Sequence, residues 1–133
     1  MAATFGKNER LCSRKLMELL FGGGGRALSA YPVRMVMMTR PRTETDVPVQ
    51  VLMSVSKRHF KRAVKRNRVK RQLREAYRQQ KQTLADRVPA DKSVVAAFIW
   101  LSDDLFPTAT VSERMNNLLQ RAAERMAEKP AGK

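Results

Sequence analysis

Cysteine is almost missing from this chain. Cys12 stands alone, so an internal disulfide and a zinc site built on several thiolates are both excluded. A lone thiol suits a reducing compartment. Long apolar runs are missing as well: the longest, Val94 to Leu101, is eight residues. A bilayer span needs about 18 or more. Met1 to Lys7 show no basic segment leading into an apolar one, so no signal peptide is expected. The expectation is a soluble, cytoplasmic protein with no membrane partner. Acid is the third scarcity, with 12 Asp and Glu against 27 Lys and Arg and a net charge of +15. Such an excess opposes compaction by self-repulsion and draws polyanions, nucleic acid first and an anionic membrane surface second.

What is present suits one small domain. The 133 residues are 43% hydrophobic, an ordinary share for a folded chain. We read residues 1–133 as a single domain with a core of about 8–127 and frayed tails. Leu16, Met17, Leu19, Leu20 and Phe21 mark a short helix from Ser13, the candidate N-cap, to Phe21. Gly22 to Gly25 ends it as a turn into an extended segment, and lacks the Gly-Lys-Ser/Thr that a phosphate-cradling loop requires. Val33 to Thr39 and Val47 to Ser56 read as strands, the second with Val47, Val49, Val51, Met53 and Val55 on one face. The polar link Arg40 to Asp46 suggests that the two form an antiparallel hairpin. Ser93 to Leu101, apolar on both faces, belongs inside a sheet. Val111, Met115, Leu118, Leu119, Ala122 and Met126 define a last amphipathic helix, with Thr110 and Glu113 as its capping box. The eight methionines read as adaptable core filling.

The charge is local. From Lys57 to Arg78, eleven residues are Lys or Arg and only Glu75 is acidic, so this window carries +10 of the +15. No Gly or Pro falls between Lys57 and Val88, and helix formers dominate. Val69, Leu73, Ala76, Tyr77 and Leu84 form a buried stripe, with Pro89 ending the helix. Lys61, Lys65, Arg68, Arg71, Arg74 and Arg78 fall on the other side with Asn67, while Arg62 and Arg66 flank the stripe. Like charges three and four apart repel by a few tenths of a kcal/mol per pair, roughly. A merely solvated face gives no return for that cost, whereas a polyanion does. A zipper-type DNA reader needs a leucine seam that this helix lacks. A membrane-surface helix needs a wide aromatic-bearing face, also lacking. Structured RNA remains, for which the planar guanidinium is well suited.

Ser54-Val55-Ser56-Lys57-Arg58, followed by Ala63-Val64-Lys65-Arg66-Asn67-Arg68-Val69-Lys70-Arg71-Gln72-Leu73-Arg74-Glu75, closely resembles the RNR motif of the bacterial ribonuclease P protein family. The resemblance extends over most of the chain, through Arg10-Leu11, Phe21 before a glycine turn, and the order of elements. It implies an α+β fold: a central mixed sheet of about four strands packed with three helices, the basic helix lying in a left-handed crossover between parallel strands. Right-handed crossovers are the rule, so pattern alone does not predict that hand.

The resemblance further implies the protein subunit of an endoribonuclease whose catalysis lies in an RNA subunit with bound Mg²⁺. That RNA removes the 5′ leader of precursor tRNA. No catalytic residue and no metal ligand are then expected in the protein. Arg62, Lys65, Arg66, Asn67, Arg68, Lys70, Arg71 and Arg74 correspond to contacts with the RNA subunit. Met17, Phe21 and Lys57 correspond to the leader cleft. Met17 stands where the family often has an aromatic, and methionine stacks less well on bases. Phe21 equally suits a core position. The expected partners are ribonuclease P RNA and precursor tRNA, with no obligate protein partner.

Two other readings compete. A self-contained nuclease needs converging carboxylates or histidines. The candidates Asp86, Asp91, Asp103, Asp104 and His59 are scattered, with Asp103-Asp104 reading as a turn and His59 as a neutral surface residue. A ribosomal protein or RNA chaperone fits the composition equally and differs only in lacking the RNR spacing.

Overall fold

Ser93 to Phe98 are buried on both sides of the strand they form, Lys92–Trp100. Val, Ala and Phe side chains in both directions are satisfied only between two neighbouring strands and two covering layers. The computed structural model describes residues 14–24, 26–42 and 47–127. In chain order these form α1 (Arg14–Leu19), a wide π-helical turn (Leu20–Gly24), β1 (Arg26–Ala30), β2 (Val33–Pro41) and β3 (Val49–Ser54). Next come α2 (Ala63–Gln80), a one-turn α3 (Gln82–Ala85), β4 (Lys92–Trp100) and α4 (Thr108–Ala127). Ser13 and the tail beyond Ala127 lie outside the described residues.

The sheet order is β1-β2-β4-β3, with β1/β2 and β2/β4 antiparallel and β3/β4 parallel. The fold is α+β with a mixed four-stranded sheet, and α2 lies in the crossover between parallel neighbours. The hairpin expected between β2 and β3 does not form. β4 is inserted between them, pairing with β2 from Val33↔Trp100 to Pro41↔Lys92 and with β3 from Val49↔Val94 to Ser54↔Ile99. The doubly apolar β4 needs a partner on each edge, and a β2/β3 hairpin would leave it one. Both ends of the polar link accordingly bond to the start of β4. The Arg42 amide donates to Asp91 O at 2.9 Å, and the Arg42 side chain donates to the carbonyls of Lys92 and Pro89 at 2.7 and 3.1 Å. Ser93 Oγ donates to Val47 O at 2.9 Å.

The alternation of the strands sorts their side chains onto two faces. Val33, Met35 and Met37, Val49, Val51 and Met53, and Ala96, Phe98 and Trp100 meet α2 and α4. There Val69, Leu73, Ala76 and Tyr77 pack beside Val111, Met115, Leu118, Leu119 and Ala122, and the Tyr77 and Phe98 rings lie 5.9 Å apart. The opposite face is thinly covered. Leu20 is buried against Val36, Val95 and Ala97, with Leu16, Met17, Met38, Leu52 and Ile99 partly buried around it.

Three local expectations are corrected. The glycines do not end the first helix at once: winding continues to Gly24, which lets Leu20 reach the sheet before β1 begins. The basic helix pauses at Lys81, where Gln80 Nε2 donates to Ala76 O at 3.2 Å and to Ser112 O of α4 at 3.1 Å, yet Leu84 stays buried. α4 starts two residues before Thr110, because Pro107 O accepts from the Thr110 and Val111 amides at 3.0 and 3.1 Å. Thr110 is therefore inside the helix and caps nothing. Thr108 Oγ1 is engaged by Gln72 Nε2 at 3.1 Å.

Candidate nucleic-acid interface

β3 stops at Ser54, and residues 55–62 carry the chain into α2. This connection is tightly held. Ser56 O accepts from the His59 amide at 3.1 Å, and Ser56 Oγ accepts from the Arg58 amide at 3.0 Å. Phe60 is buried, anchoring the middle of the loop in the core. Lys57, Arg58, Lys61 and Arg62 are left exposed. Lys57 thus sits in the turn beyond β3, three residues past the strand end where it was expected, and beside the other loop cations.

α2 carries the pattern onward. Val69, Gln72, Leu73, Ala76 and Tyr77 are buried. Lys65, Asn67, Arg68, Arg71 and Arg74 are exposed along the opposite face. Among the described residues none of these five makes a side-chain hydrogen bond or ion pair within the chain, so their side-chain polar groups face solvent. Arg62 is exposed at the N-cap, away from the buried edge where the helical wheel had put it, because the helix starts only at Ala63. Lys70 and Arg66 are half-buried. Arg66 differs from the rest in turning back to donate to Phe60 O and Lys61 O, each at 2.8 Å. The first turn of α2 holds no acidic residue, so the partial positive charge of the helix terminus adds to the cations around it. Val64, 78% exposed, is an apolar spot within this basic surface.

Near the end of the ridge the charge is compensated. Glu75 accepts from Arg78 Nε at 3.0 Å and from Gln79 Nε2 at 2.8 Å. The Arg78 hydrogen bond holds the Glu75 carboxyl below the usual range, and the same contact raises Arg78.

The thinly covered sheet face is the second surface. Phe21 is 50% exposed and so not a core residue, while its neighbour Leu20 enters the core. Met17 is half-buried beside Leu20. Two further residues belong here that the sequence pattern did not single out, Arg34 and Arg40. They lie on the same face of β2 as Val36 and Met38, so an apolar strip is bounded by a cation at each end. Their even spacing within the strand was the available signal.

His59 and Asp103 come together as the scattered acids do not: Nδ1 lies 2.7 Å from Oδ1. Asp104 belongs to the expected turn, its amide donating to Ser102 Oγ at 2.9 Å. No three His, Cys, Asp or Glu converge on a metal-sized site among the described residues. No helix of the described residues is long and apolar enough to cross a membrane.

Known proteins resemble this chain in sequence and in fold. The sequence model of the Ribonuclease P family matches residues 5–123. A ribonuclease P protein component from Porphyromonas gingivalis is 42% identical over 125 residues, covering 91% of this chain and 89% of that protein. One from Chlorobaculum tepidum is 33% identical over 118 residues, covering 80% and 77%. The RNase P protein from Thermotoga maritima superposes with a TM-score of 0.65 at 25% identity, covering 85% of this chain and 96% of that one. A Staphylococcus aureus RNase P protein shares the fold, with a TM-score of 0.62 at 18% identity over 86% and 94%. The chain belongs to the ribonuclease P protein component family, and with it to an endoribonuclease that acts in tRNA 5′ processing.

Proposed function

We propose that the exposed ridge of α2 and the loop before it bind the catalytic RNA of ribonuclease P, and that the open sheet face with α1 receives the 5′ leader of precursor tRNA. The carrying observation is the row of Lys65, Asn67, Arg68, Arg71 and Arg74, held in line by a helix whose other face is buried in the core. From Lys65 to Arg74 the row extends roughly 14 Å at 1.5 Å per residue. Cations fixed on a rigid rod lose little freedom on meeting phosphates, and their mutual repulsion is relieved in the complex. Arg62 and Lys70 extend the contact, and Arg66 supports it from behind.

The sheet face suits a single strand. Arg34 and Arg40 stand about 20 Å apart along β2. Cations there take phosphates, while Phe21, Met17 and the apolar strip between take bases. Lys57 stands nearer the RNA-subunit surface in this arrangement and serves whichever strand passes the turn.

In this reading the chain supplies binding and orientation, and the hydrolytic chemistry belongs to the RNA with its Mg²⁺. Neutralising phosphate repulsion lowers the divalent concentration that assembly requires. The cytoplasm is the compartment where both RNAs would be met.

The test is cleavage of a leader-bearing precursor tRNA by ribonuclease P RNA at low Mg²⁺, with and without the full chain. Cleavage only when both are present is expected. Cleavage by the protein alone would place the chemistry in the protein and overturn this reading, and no stimulation of its own organism's RNA would remove the subunit role.

A further inference from the structure

We propose that Asp103 is a positioning residue for RNA binding. It holds His59, and through His59 it fixes the basic loop 57–62 against the turn that follows β4. This role rests on the reading of α2 and its loop as the surface for ribonuclease P RNA.

Besides the turn at Ser56, three contacts hold the loop. Phe60 is sunk in the core, and Arg66 bonds Phe60 O and Lys61 O from the helix side. The third tie reaches a different loop: His59 Nδ1 donates to Asp103 Oδ1 at 2.7 Å across 44 residues of chain. A carboxylate only accepts, so Nδ1 carries the proton in either charge state of the ring. The His59 side chain is 13% exposed and thus fixed in its seat, whereas that of Asp103 is 77% exposed. The turn that carries Asp103 is braced on both sides of it. The Asp104 amide donates to Ser102 Oγ, and Gln72 of α2 donates to Phe106 O at 3.1 Å, tying the same turn to the basic helix. Lys57, Arg58, Lys61 and Arg62 on one side, and Arg68 and Arg71 on the other, are thereby kept in one arrangement.

Simple electrostatics gives Asp103 the opposite role. An exposed carboxylate beside a basic surface repels phosphate, so its removal should tighten RNA binding. Positioning predicts weakening when the hydrogen-bond acceptor is removed, and none when only the charge is removed. The two accounts differ in sign.

The experiment measures affinity of the full chain for ribonuclease P RNA at fixed salt and Mg²⁺. Asp103→Ala is expected to weaken binding about two- to fivefold, the upper range for a largely exposed pair. Asp103→Asn, which keeps an acceptor for Nδ1, is expected to bind at least as well as the unaltered chain. In a His59→Ala background Asp103→Ala is expected to cause no further weakening, since the tie is already gone. Equal tightening by Asp103→Ala and Asp103→Asn overturns the proposal, as does weakening by Asp103→Ala that persists without His59. Arg68→Ala is the control for the underlying surface. If it weakens binding and Asp103→Ala does not, only the tie is wrong; if Arg68→Ala has no effect, the surface and the tie fall together.

Discussion

Arg66 donates to the carbonyl oxygen of Phe60, six residues back, at 2.8 Å, and the same Nη1 reaches Lys61 O at 2.8 Å. A residue within the most basic stretch of the chain thus spends its guanidinium on the backbone. Its neighbours two and five residues on, Arg68 and Arg71, keep theirs in solvent. Charge count treats the three alike, and the fold does not.

The difference is measurable. Arg66→Ala should lower stability by about 1 kcal/mol, because two backbone carbonyls lose a charged donor. Arg68→Ala and Arg71→Ala should stay within about 0.5 kcal/mol of the unaltered chain in urea unfolding. Each of the latter two should instead lower RNA affinity and reduce the slope of log affinity against log salt by roughly 0.7 to 0.9 for each phosphate no longer neutralised. An unchanged slope in both would move the RNA surface off this face of α2.

The buried side of the same helix predicts the reverse. Leu73→Ala and Tyr77→Ala remove side chains packed against the sheet and should destabilise the fold by about 2–5 kcal/mol. Val64→Ala, on the exposed side, should leave unfolding unchanged. Thermal and denaturant melts of the three variants decide this without any RNA.

The sheet face makes a prediction specific to substrate form. Phe21→Ala and Arg34→Ala should weaken binding of a precursor that carries a leader and leave binding of leaderless tRNA unchanged. For Phe21 the loss expected from one stacked base is about 1–3 kcal/mol. Equal weakening of both substrates would argue that these residues contact the tRNA body.

Acidification should act at Glu75. Its carboxyl is held below the ordinary value, first by the Arg78 hydrogen bond. A lowered folded value means that the contribution is present above the unfolded value and is lost as pH falls through the folded one. The pair is exposed, so the effect on unfolding is small. A carboxyl titration followed by NMR should show the Glu75 midpoint rising in Arg78→Ala and unmoved in Arg71→Ala.

Periodicity revealed most of the elements. Alternation of Val49, Val51 and Met53 and the stripe Val69, Leu73, Ala76 and Tyr77 report burial directly, since each follows the repeat of its own backbone. Strand order was harder, because β2 and β3 are close in sequence but meet only through β4. A polar seven-residue link, Arg40 to Asp46, looks the same whether it turns a hairpin or passes a third strand. The cationic ridge was legible from spacing alone. The role of Arg66 was not, because a guanidinium reaching a carbonyl depends on the loop path. The meeting of His59 and Asp103 was hidden for the same reason, and Phe21 outside with Leu20 inside was set by a π turn that no pattern announces.

On the proposed reading, with one RNA at the ridge and another at the apolar strip, the sheet has a consequence for both. α2 and α4 cover one face and α1 the other, so a continuous wall of backbone stands between the ridge and the apolar strip. Strands one side chain deep on each face keep occupants from touching, and neither can evict the other by contact. What they share is the protein's field. Each RNA strand that settled on one side would discharge part of the +15, so a second arrival would meet a weaker pull. Any resulting antagonism would have no preferred direction and would fade as salt shortens the reach of charge.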